Sequence, residues 1–172
     1  MSPRRHLRRL QRPDVDRAAI CAQASEQAER LAAEATDEEV REAWRAEHPE
    51  VEPDRPDLML AVRAWYEDCH TFRIRREIGE AAAADCNREF AAMARAEVVA
   101  ACGLDPAGLT AEVAEKLLAE AWQCWLDLDR TELRYQADPA AQRNARAAAT
   151  RAQLEGYLVA AGLITYPPWD GD

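Results

Sequence analysis

The sequence predicts an all-α protein: an elongated helical bundle of about five to six helices, built on one long central helix at about 57–102. Three observations carry that expectation. Alanine occupies 37 of the 172 positions and, with arginine, glutamate and leucine, dominates a chain that holds only six glycines. These residues lose least on entering a helix. The apolar residues recur three and four apart rather than alternating, which is the helical period and not the strand period. Capping residues, glycines and prolines fall between the periodic stretches, where helices start and stop.

Taken in order, Ser2-Pro3 can open a short helix carrying arginines, interrupted by Pro13. Asp14 is a plausible N-cap for a helix to about Ala35, whose lean apolar face is Ala18, Ala19, Ala22, Ala28 and Leu31. Thr36 and Glu39 stand three apart and predict a capping box. The helix it opens presents Val40, Ala43 and Trp44 and ends before Pro49. Residues 48–56, with three prolines, read as an extended linker.

From Asp57 to Cys102 there is no proline, and Gly79 is the one internal glycine. Leu58, Val62, Trp65, Cys69 and Phe72 form a coiled-coil-like stripe at a mean spacing of 3.5 residues. Arg76 and Gly79 interrupt it, and Ala83, Cys86, Phe90 and Met93 resume it in phase. Unbroken, this helix implies an elongated molecule; a bend near Gly79 is the alternative. Gly103 stops it, and Thr110 caps a helix of about 111–136 with two adjacent apolar faces. Asp138-Pro139 opens the last helix, which Gly162 ends. The expected organisation is a basic arm (1–13), a helical bundle (14–162, with 14–47 and 57–78 at one end and 80–162 at the other) and a Pro/Trp tail (163–172).

The net charge of −10 is unevenly placed: the first 17 residues balance at +4 and the remainder at −14. The body should repel nucleic acid and anionic lipid, whereas the arm can attract either. Five cysteines, an odd number with no CxxC pair, speak for reduced packing residues rather than a disulfide framework or zinc site. The opening residues lack the apolar segment of a signal peptide, and no apolar run is long enough to span a membrane. A cytoplasmic location without membrane association is the expectation.

Candidate sites are few. Arg4, Arg8 and Arg12 stand at i, i+4 and i+8 beside Arg5 and Arg9, so a helical arm would present a basic stripe to phosphates or to an acidic partner. No aromatic interleaves it, and docking on the chain's own acidic 26–57 stretch competes with both readings. Trp122 and Trp125, with the tail residues Leu163, Ile164, Tyr166 and Trp169, form a candidate partner interface. The tail can also cap its own bundle, and Trp44, Trp65, Trp122 and Trp125 are most simply core aromatics. Glu67 and His70 have the Glu-x-x-His spacing of helix-borne metal ligands, but no second such pair exists, so they are weak candidates and no cofactor is expected. Cys69 and His70 are adjacent, yet successive helical side chains diverge by about 100°, which argues against a nucleophile–base pair. No phosphate loop, dinucleotide fingerprint or nucleophile elbow is present, so no catalytic residues are assigned. The expected function is a non-catalytic helical interaction or assembly subunit of a larger bacterial or viral (phage) complex, with a protein partner or homo-oligomer. The alternatives are a nucleic-acid-binding accessory protein acting through the arm and a helical-bundle metalloenzyme using Glu67 and His70.

Overall fold

A computed structural model describes residues 6–50, 56–135 and 138–166. Among them are five α-helices and no strand: α1 (Arg17–Glu34), α2 (Asp37–Glu47), α3 (Pro56–Cys102), α4 (Ala111–Tyr135) and α5 (Asp138–Ala160), with a short 3-10 turn at Pro106–Gly108. The chain is all-α, and α3 runs without interruption through Gly79. Arg4, Arg5 and Trp169 lie outside the described residues. The described residues form two compact units: one from 14–85, the other from 6–13 together with 86–166.

In the first unit, α1, α2 and the first part of α3 pack through a thin core. Ala24 and Ala28 of α1 are fully buried against Ile74, with Ile78 beside them. Alanine at these two positions, one turn apart, leaves room for the isoleucines to close on the α1 backbone. Further along α1, the Ala32 and Ala35 carbonyls meet Arg63, so α1 runs antiparallel to α3. Asp16, not Asp14, caps α1 by accepting from the Ala19 amide, two residues later than expected from sequence. The Thr36–Glu39 capping box forms in full: Thr36 donates its amide to Glu39 Oε2 at 2.7 Å and accepts from the Glu39 amide at 3.3 Å.

The second unit has the larger aliphatic core. Ala94, Val98, Ala101 and Cys102 of α3 meet Leu109, Ala114 and Leu117 across the turn, and Leu154, Tyr157 and Leu158 of α5 close the third side. Gly103 (φ 65°) and Gly162 (φ 67°) end α3 and α5 in the left-handed conformation that glycine adopts without strain. At each, the following amide reaches back to close the helix: Leu104 to the Val99 carbonyl and Leu163 to the Leu158 carbonyl, both at 3.0 Å. Thr110 caps α4 by accepting from the Val113 amide.

Two expectations from sequence are corrected here. Residues 6–16 are not helical; Leu7 is buried in the core of the second unit and pins the segment to it. The tryptophans are not core residues: Trp44, Trp65 and Trp125 are half-buried and Trp122 is exposed. Among the described residues no helix is long and apolar enough to cross a membrane.

Candidate functional site

Arg63 organises the corner where α1 passes into α2. Its guanidinium donates to the Ala32 and Ala35 carbonyls, both at 3.2 Å, and to Asp37 Oδ1 at 3.0 and 2.5 Å. One side chain therefore satisfies carbonyls that the end of α1 leaves open and holds the first residue of α2. The same contacts hold the Asp37 carboxyl below its ordinary pKa. With its start held there, α2 runs beside α3 in the same direction. Trp44 meets Trp65 edge to face at 5.1 Å, and His48 lies 4.2 Å from Trp44 and 5.6 Å from Trp65.

Between α2 and α3 lies an open cleft of about 780 Å³. Small Ala43 and Ala46 form its α2 wall; Trp65, Tyr66, Cys69 and Phe72 form the α3 wall; Glu47 and Asp68 add negative charge. Trp65, Cys69 and Phe72 of the expected stripe thus border this cleft. Of the stripe's members in this unit only Val62 is buried, while Leu58 is 37% and Phe72 62% exposed and Cys69 is also exposed. The side chains that hold α3 to α1 come from a different face, that of Ile74 and Ile78.

Two titratable groups of the cleft have shifted pKa values. Burial, Glu47 and Asp68 together raise the Cys69 thiol above its ordinary pKa, which disfavours the thiolate that a nucleophile needs. His70 is held below its ordinary pKa by burial and by Arg73. Arg73 Nη2 lies 2.9 Å from His70 Nδ1, and a guanidinium only donates, so Nδ1 is the acceptor and Nε2 carries the proton. Among the described residues no group of three or more potential ligands comes together.

The N-terminal segment meets a receptor that the sequence did not reveal. The Arg8 amide donates to Glu97 Oε1 at 2.8 Å, and Glu97 is only 7% exposed. The Tyr157 hydroxyl donates to the Arg8 carbonyl at 2.6 Å and accepts from the Leu10 amide at 2.8 Å. Gln153 Nε2 donates to the same carbonyl at 2.7 Å. Arg12 bonds to Asn87 and lies over the Phe90 ring, 6.0 Å from its centroid. Residues 7–12 therefore dock on elements of their own unit. Arg8 and Arg9 keep exposed side chains, but with no helix there the expected Arg4/Arg8/Arg12 stripe does not form on 6–12.

Of the other predicted interface residues, Leu163 and Ile164 pack against the core of their own unit. Trp122 and Trp125 stand edge to face at 5.6 Å, and Arg151 of α5 covers both, 3.9 Å from the Trp122 centroid and 5.5 Å from that of Trp125. Arg151 also pairs with Glu155, which accepts from the Tyr166 hydroxyl. This set forms a polar and aromatic seam joining α4, α5 and the tail.

No protein-family model, curated protein or solved structure matches the chain. The functional reading rests on its own surfaces.

Proposed function

We propose that the chain is a non-catalytic helical interaction or assembly subunit. One observation carries this reading: Trp65, Cys69 and Phe72 of the apolar stripe border a cleft, and Cys69, Phe72 and, further along, Leu58 are left exposed by the helices of their own unit. Exposed aromatic and aliphatic side chains cost solvation free energy in a monomer, and a contiguous set of them is the usual mark of an interface. Cys21 and Cys69 carry exposed thiols, in keeping with a chain that works in a reducing compartment such as the cytoplasm.

The test substitutes Phe72→Glu, at an exposed position where the fold tolerates charge. Sedimentation of the purified chain and affinity capture from its native source are compared for the two forms. Loss of an oligomer or of a specific partner, with the circular dichroism unchanged, supports the reading. A strictly monomeric chain with the same capture profile in both forms overturns it.

A second reading has its own observation. Arg8 and Arg9 are exposed and have no ion-pair partner among the described residues, so the docked segment displays fixed positive charge. Under this reading, nucleic acid binds at low salt, weakens steeply as salt rises, and is released by Arg8→Ala/Arg9→Ala. Binding that is absent at low salt, or indifferent to the substitutions, removes it.

A further inference from the structure

Phe72 is the centre of a self-complementary pattern on the exposed side of α3. Four residues before it stands Asp68 and three residues after it stands Arg75. Both are exposed, and neither has an ion-pair partner among the described residues. The neighbouring arginines differ: Arg76 pairs with Glu80 at 2.8 Å and Arg73 lies 4.0 Å from Glu77. Seven residues before Phe72 is the bulky Trp65; seven residues after it is Gly79, where nothing lies within 4 Å of the missing side chain. Around Gly79 is a recess of about 430 Å³, lined by Arg75 and Ala83 of α3 and by Val15, Ile20 and Cys21 at the start of α1. Eleven residues out on either side are Ala61 and Ala83, both small and exposed.

A two-fold axis turns such a pattern into an interface. In an isologous contact, residue i meets residue j of the second copy and j meets i. We infer that the partner of this stripe is a second copy of the same chain, its α3 crossing antiparallel about a two-fold at Phe72. This deepens the interaction-subunit reading and rests on it. Phe72 then meets Phe72, Trp65 stands opposite the Gly79 recess, and Asp68 lies against Arg75 twice. The small Ala61 and Ala83 let the helix backbones approach at both ends. The glycine that interrupts the apolar stripe at position 79 follows from this pairing, and Arg75 stands beside the stripe. The charge answers Asp68 and the glycine answers Trp65. The acidic charge of the 26–57 stretch opposes self-association at long range, so the complementary pair at the centre is what the contact needs to hold register.

The test is a charge swap read by sedimentation equilibrium at high-micromolar concentration. The wild-type chain is expected to form dimers. Asp68→Arg and Arg75→Asp each place like charges together twice and weaken dimerisation about tenfold or more. The double variant Asp68→Arg/Arg75→Asp restores it, and an equimolar mixture of the two single variants associates as a heterodimer. Unchanged circular dichroism shows that the exposed substitutions leave the helices intact. A monomeric wild type, single variants that dimerise like wild type, or a mixture that stays monomeric overturns the self-pairing. If the monomeric chain instead captures another protein in a Phe72-dependent way, the interaction reading stands and only the second-copy inference falls.

Discussion

At the residue scale, a few polar side chains do work that no pattern of hydrophobicity announces. Tyr157 serves the N-terminal segment as both donor and acceptor, and Gln153 supports its hydroxyl from one helical turn away at 2.9 Å. Tyr157→Phe keeps the ring but leaves the Leu10 amide without its partner. Its expected cost is about 1–3 kcal/mol, with faster amide exchange at Leu10, read by denaturant unfolding and hydrogen exchange. Unaltered exchange at Leu10 would show that the hydroxyl does not hold the segment. Two carboxylates in α2 set an acid limit. Asp37 is lowered by Arg63, and Glu39 by its bonds to Thr36. A depressed folded-state pKa contributes stability that is complete above the unfolded values, 3.8 and 4.5, and is lost as pH falls through the lower folded values. Helicity of the first unit is therefore expected to be flat from neutral pH to about 5.5 and to fall below about 4. Asp37→Asn with Glu39→Gln should remove that acid dependence in a circular-dichroism titration at the price of lower stability at neutral pH.

At the element scale, capping and periodicity explain most of what forms. The Thr36–Glu39 box, the Thr110 cap and the glycine stops at 103 and 162 were all legible, because each depends on residues within one or two turns. The start of α1 was misplaced by a residue pair: Asp14 and Asp16 are both good caps, and only the fold decides which accepts from the helix. The helix expected near Ser2-Pro3 fails over 6–16 because packing Leu7 and bonding the Arg8 and Leu10 backbone to another element outweigh local propensity. The stripe on α3 was legible as apolar but not as uncovered. Its period is that of a seam, and period alone does not say what lies across the seam. Gly79 offers a clean measurement at this scale. With nothing within 4 Å of an added methyl group, Gly79→Ala should stabilise α3 by about 0.5–1 kcal/mol in thermal unfolding of the monomeric Phe72→Glu background. Destabilisation there would mean that α3 needs the glycine for its own backbone.

At the scale of the whole molecule, the two units differ in how much side chain they bury. The described core of the first comprises two alanines and an isoleucine, with buried Val40 and Val62 apart from them, whereas the second gathers leucines, valines and a tyrosine. Local opening free energies follow buried apolar contact. Amides of α1 and α2 are therefore expected to exchange faster than those at 94–102 and 154–158, under native conditions and at equal intrinsic rates. Equal protection in the two units would contradict that ordering. A thin core beside an exposed stripe also fits a unit that gains stability on association, since a ligand or second copy that binds only the folded form adds to it by mass action. Adding a partner, or raising concentration where the chain self-associates, should then slow exchange selectively in the first unit.

By itself the sequence determined that the chain is helical, where its five described helices begin and end to within a residue or two, and that α3 is long. Those properties follow from propensity, spacing and caps, which act over a few residues. Only the tertiary structure decided which faces are spent inside the chain. It gave Ile74 and Ile78, not the expected stripe, the task of holding α1. It seated the N-terminal segment on Glu97, Gln153 and Tyr157, and it covered Trp122 and Trp125 with Arg151. Such choices depend on groups far apart in the chain meeting with the right shape and hydrogen-bonding capacity, and no local pattern encodes that meeting.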